Sequence, residues 1–137
     1  MFERILVPIA SPEDAEATAR ALRPRLDSGA TLVVTHVTEG TTAETTVKTG
    51  RDRFAGATYE AFADVLHRDD LEFEWVTLEA REVVEALVDA VDMTEATLIA
   101  FTPRDVDEWS RTIAGDLGGR LIRAADVPVL VLPNQNT

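Results

Sequence analysis

Apolar residues along this chain fall into two kinds of block that alternate from one end to the other. Four are short continuous runs: Arg4 to Ala10 (RILVPIA), Thr31 to Val37 (TLVVTHV), Thr97 to Phe101 (TLIAF) and Pro128 to Leu132 (PVLVL). Unbroken runs of this length predict strands buried on both faces, as in a parallel sheet. A fifth stretch, Leu71 to Leu78 (LEFEWVTL), alternates apolar with polar and predicts a more exposed strand, third in chain order. Between the runs, apolar residues recur every three or four positions, the spacing of a helix face. Ala15, Ala19, Leu22 and Leu26 mark one helix; Phe54, Ala57, Ala61, Val65 and Phe62 mark a second over Asp52 to His67. Val83, Val84, Leu87, Ala90 and Val91 give a third over Glu82 to Val91, and Ile113, Leu117, Leu121 and Ala124 a fourth.

Local signals set the limits of these elements. Ser11-Pro12-Glu13-Asp14 is a helix start: a capping hydroxyl, a proline at the first helical position, and acids at the positive helix end. Pro24 is expected to kink that helix or end it early, ahead of the Ser28-Gly29 stop. Thr38 to Gly50, rich in threonine, glycine and glutamate, reads as a loop. Helices alternating with strands imply right-handed crossovers and a parallel sheet covered on both faces, hence a three-layer α/β fold. A chain of 137 residues is expected to make one domain over 1–137, large enough for a core without staples.

Charge narrows the partners. Acids outnumber bases 25 to 13, for a net charge of −12, and Lys48 is the one lysine among the basic residues. Disorder conflicts with 45% apolar residues in periodic blocks, so the acidity reads as the surface of a folded protein from a high-salt, halophilic interior, where screening weakens self-repulsion. Nucleic acid is excluded as a partner for want of a basic footprint. Without cysteine there is neither a disulfide nor a thiolate ligand or nucleophile. No apolar run reaches membrane-spanning length and the start has no signal-peptide layout, so a cytoplasmic location away from membranes is expected.

The loop from Thr102 to Asp116 leaves a strand's carboxyl end and enters a helix, the place where an open α/β sheet binds its ligand. Its acids Asp105, Asp107, Glu108 and Asp116 lack the spacing that a metal would require and read as a solvated acidic loop. Arg104 and Arg111 admit two readings, contacts to a small anion or internal pairing with those acids. His36 and His67 have no evident serine or carboxylate partners, and Ser11 and Ser110 suit helix caps better than nucleophiles. Trp75 and Trp109 fit either core or interface. No catalytic residue, metal or cofactor is therefore expected.

The VPI of the first strand with Ser11-Pro12-Glu13-Asp14, and the ending ADVPVLVLP, resemble the universal stress protein family over almost the whole chain. That resemblance implies a Rossmann-like sheet of the adenine nucleotide alpha hydrolase type, five parallel strands in the order 3-2-1-4-5. It also implies a cleft between strands one and four, lined here by Pro8, Ala10, Val37, Thr102, Asp105, Gly115 and Asp116. Many family members bind ATP through G-x2-G-x9-G-[ST] after strand four. In this chain the pattern's glycines fall on Thr102, Asp105 and Gly115 and its hydroxyl residue on Asp116, while the family's nucleotide-contacting aspartate falls on Ala10. Only Gly115 matches. Two carboxylates facing a polyphosphate would repel it.

The resemblance thus implies a non-catalytic stress or regulatory protein that does not depend on ATP. A nucleotide or small-ligand binding module using the same cleft is the alternative; an enzyme acting on adenine nucleotides fits less well, without a placed nucleophile or base. A homodimer is also expected, because the last strand is an uncharged sheet edge. The family commonly pairs through it, which extends to Val129, Leu130, Val131 and Leu132.

Overall fold

The computed structural model describes residues 4–9, 11–39, 46–49, 56–80, 82–102 and 117–133. Chain order runs β1 (Arg4–Ile9), α1 (Pro12–Leu22), β2 (Thr31–Glu39), β3 (Thr46–Thr49), α2 (Gly56–Leu66), β4 (Glu72–Ala80), α3 (Val83–Thr94), β5 (Leu98–Phe101), α4 (Leu117–Ala124) and β6 (Val129–Val131). The sheet order is β3-β4-β2-β1-β5-β6. All pairings are parallel except β3 with β4, which is antiparallel. Counted without β3, the five parallel strands stand in the order 3-2-1-4-5, as the resemblance implied.

Three of the four unbroken apolar runs, those of β1, β2 and β5, are explained by burial on both faces, whereas the run of β6 lies at the sheet's edge with Leu130 and Val131 exposed. Ile5, Val7 and Ile9 of β1 join a core with Ala15, Ala19, Leu22, Tyr59, Phe62 and Leu66 beneath α1 and α2. Leu6, between them, points the other way into a core with Val84, Leu87, Val91 and Leu121 of α3 and α4. β5 divides likewise, Leu98 and Ala100 to one side and Ile99 and Phe101 to the other. Side chains that alternate along a strand fill both layers at once, so every position is apolar.

Several expectations are corrected. The stretch read as a loop from Thr38 to Gly50 contains the end of β2 and the whole of β3, which pairs Thr46 with Glu79 and Thr49 with Val76. β-branched threonines and Val47 suit an extended chain, but the partner that makes it a strand lies about thirty residues onward. As Pro24 led one to expect, α1 ends early at Leu22, and Arg23–Arg25 tighten into a 3₁₀ turn at Pro24, whose missing N–H cannot continue the ladder. Gly29 is not the helix stop; it sits in the following turn at φ 88° and donates its N–H to the Asp70 carbonyl. Of the face expected for α2, Phe62 is buried and Ala61 and Val65 are half-buried against the same core, whereas Ala57 is exposed, Thr58, Tyr59 and Leu66 are buried instead, and Phe54 lies outside the described residues. The buried face is centred on Tyr59, Phe62 and Leu66, because aromatic and leucine side chains gain more from burial than alanines do. Ala124 is exposed on α4, with Leu121 its fully buried anchor.

Candidate functional site

The topology reverses between β1 and β5. From β1 the chain crosses through α1, packed on one face, and from β5 it returns through α4, packed on the other. Crossovers diverging to opposite faces leave a crevice at the strands' carboxyl ends. α1 aims its positive end there. Its Ser11 hydroxyl accepts a hydrogen bond from the Asp14 N–H at 3.2 Å, and Pro12 opens the helix.

Polar side chains at this end turn inward. Asp14 is 2% exposed, Thr18 0% and Thr102 6%. The Thr18 hydroxyl donates to the Thr102 hydroxyl at 3.0 Å across 84 positions of sequence. Thr102, the first residue past β5, is thereby tied to the second turn of α1. Pro8 is buried on β1 opposite Thr35 of β2, and Val37 is buried opposite Leu78 of β4. The structure thus brings Thr102 to the expected crevice and sets Pro8 and Val37 in the strands behind it. Ala10, Arg104, Asp105, Arg111, Gly115 and Asp116 lie outside the described residues, as do Asp107, Glu108, Trp109 and Ser110.

Sequence reasoning missed Thr18 and Asp14, because it gave α1 a narrow stripe. In the structure Asp14, Ala15, Ala17, Thr18, Ala19, Ala21 and Leu22 are all buried, leaving only a thin outer face. The available signal was the run of small residues, which lets the helix press close to its neighbours on several sides.

The histidines do not share a site. His36 is half-buried toward the carboxyl end of β2, opposite Ile9 and Thr77, while His67 ends α2 in the left-handed region ahead of β4. Trp75 is half-buried, its ring 4.9 Å from Tyr59 and stacked on Phe73 at 5.3 Å. Among the described residues, no group of three or more histidines and acids that could hold a metal ion is formed. No described helix is long and apolar enough to cross a membrane.

β6 stands at the sheet's edge. Leu130 is 37% and Val131 46% exposed, and Ile122 on α4 is 58% exposed. Val129 is half-buried, but Leu132, expected at an interface, is 1% exposed and belongs to the core under α1.

A family model of the universal stress proteins matches residues 1–133. The chain belongs to the universal stress protein family. Solved members share its fold at low identity. The universal stress protein from Archaeoglobus fulgidus in complex with dAMP is 21% identical, with a TM-score of 0.63 over 96% of this chain and 98% of that one. A universal stress protein in complex with cAMP is 15% identical, TM-score 0.60, covering 95% of both chains. UspA from Lactobacillus plantarum is 15% identical, TM-score 0.54, over 96% of this chain and 97% of that one. Among curated proteins compared by sequence, none matches.

Proposed function

We propose that this family member is a non-catalytic stress or regulatory protein, homodimeric through β6, whose β1–β5 crevice does not bind ATP with useful affinity. The observation that carries the reading is Thr102, which stands where the family pattern has a glycine and whose hydroxyl is bonded into α1. A phosphate cradle needs bare backbone N–H groups close to the ligand. At this position the chain carries a side chain anchored to the neighbouring helix instead. Ala10, Asp105 and Asp116 add a lost polar anchor and two like charges on sequence grounds. The net charge of −12 fits work in a salt-rich cytoplasm, where such repulsion is partly screened.

A second reading keeps the crevice in use for a less charged ligand. It is favoured by the two relatives solved with cAMP and dAMP, which carry fewer phosphates than ATP. The positive end of α1 can meet one phosphate group where it cannot offset a triphosphate beside carboxylates.

Calorimetric titration at high salt separates the two. ATP, with or without magnesium, is expected to give no saturable heat below millimolar concentration. A low-micromolar dissociation constant for ATP would overturn the proposal, and saturable binding of dAMP or cAMP alone would establish the second reading. Thr102→Gly combined with Asp105→Gly is expected to improve ATP binding by at least about tenfold, since each such factor needs only about 1.4 kcal/mol.

A further inference from the structure

The carboxyl ends of α1 and α2 meet at the other end of the sheet from the crevice. Arg20, Arg23 and Arg68 line a surface cleft of about 630 Å³ there, with Pro24 and Val65. In a chain of net charge −12, three guanidinium groups line this one cleft.

Helix capping accounts for part of this gathering. Arg23 Nε donates to the Leu66 carbonyl at the end of α2, at 3.0 Å. Arg68 Nη1 donates to the Arg23 and Leu26 carbonyls beyond α1, at 3.1 and 3.0 Å. Each helix end is closed by an arginine from the other, and cations suit these negative termini. The rest of Arg68 is turned to Asp70, with Nε at 3.0 Å and Nη2 at 2.6 Å from its two oxygens. Arg68 is therefore a fixed wall of the cleft.

Capping leaves Arg23 with more than it uses. Its Nε is held, yet among the described residues its two Nη nitrogens make no hydrogen bond. Arg20 lies three residues earlier, on the same side of the helix, and is exposed at the cleft. The guanidinium fork matches the oxygens of a phosphate, and a cation already anchored loses little freedom when it binds. Pro24 and Val65 add an apolar floor beside it.

We propose that this cleft binds a small phosphate-bearing molecule, its phosphate on Arg23 and Arg20 and its apolar body against Pro24 and Val65. The full chain is titrated with phenyl phosphate and, separately, with inorganic phosphate at constant ionic strength, following backbone amide resonances. Saturable shifts are expected at Arg20 to Leu26 and Val65 to Asp70, with phenyl phosphate binding more tightly than inorganic phosphate. Arg20→Gln leaves the caps made by Arg23 and Arg68 in place and is expected to weaken binding by about tenfold or more, as loss of one charge-assisted contact does. Arg20→Gln with Arg23→Gln is expected to abolish saturation, with thermal melting confirming the fold. Shifts confined to Ile9, Ser11 and Thr102, no saturation with either probe, or an unchanged affinity in Arg20→Gln would each overturn the proposal. Equal affinity for the two probes would overturn the role of the apolar floor.

Discussion

Arg68 and Asp70 show how two residues can close a turn. The carboxylate of Asp70 is lowered from 3.8 to about 2, first by hydrogen bonding to Arg68, with smaller help from its own backbone N–H and Ser28. A carboxylate whose folded value is depressed stabilises the folded state above its unfolded value and loses that contribution as pH falls through the folded one. Stability should accordingly drop as pH falls from about 3.8 toward 2. Asp70→Asn is expected to flatten that part of the curve in urea unfolding followed across pH; an unchanged slope would place the acid sensitivity elsewhere. The Arg68–Asp70 pair spans two positions, yet its partners across the turn, the Arg23 and Leu26 carbonyls, are more than forty residues away. Local residue chemistry was legible in the same way at Ser11, whose cap followed from the Ser-Pro-Glu-Asp order, and at Pro24. The Thr18–Thr102 bond was not legible, because only the packing of α1 on β5's end brings them together.

Helix ends carry the clearest consequence at the scale of elements. α3 is closed by Glu95 at φ 59° and ψ 34°, with its N–H donating to the Val91 carbonyl. This left-handed position favours glycine, since a Cβ crowds the following carbonyl, and an exposed acid also faces the negative end of the helix. Glu95→Gly is therefore expected to raise unfolding stability by up to about 1 kcal/mol in a denaturant titration. The gain is limited by glycine's freedom in the unfolded chain and by the lost attraction of Glu95 to Arg4. A loss of stability would show that this attraction dominates. Elements with a strong period were legible, including α3 and all five parallel strands. The face of α2 was read only in part: Phe62 was expected inward, but Ala57, Ala61 and Val65 fit a helical stripe as well as Tyr59 and Leu66 do. The choice falls to whichever set β4 can cover, and the Tyr59 hydroxyl is fixed there on the Val76 carbonyl at 2.8 Å.

At the scale of the molecule, β6 is an edge with apolar side chains outward. Exposed Leu130 and Val131 give this edge an apolar character suited to a second copy of the same edge. Light scattering at high salt is expected to give a dimer mass for the native chain and a monomer mass for Val131→Arg. A monomer mass for the native chain would remove β6 as an interface. Leu132 would not serve in the same experiment, since its side chain fills the chain's own core and its truncation would report stability.

The sequence by itself determined the alternation of strands and helices, the burial of β1, β2 and β5 on both faces and the caps that begin and bend α1. These depend on periods and contacts within a few residues. The family resemblance carried the strand order. Only the tertiary structure decided the rest. β3 became a strand through β4, α2 took its face from Tyr59 and Phe62, Leu132 went to the core, and Thr102 was drawn onto Thr18. So too did the arginines of α1 and α2 come to share one cleft. Each outcome rests on a partner far away in sequence, and its free energy comes from surface buried between elements, which no local period records.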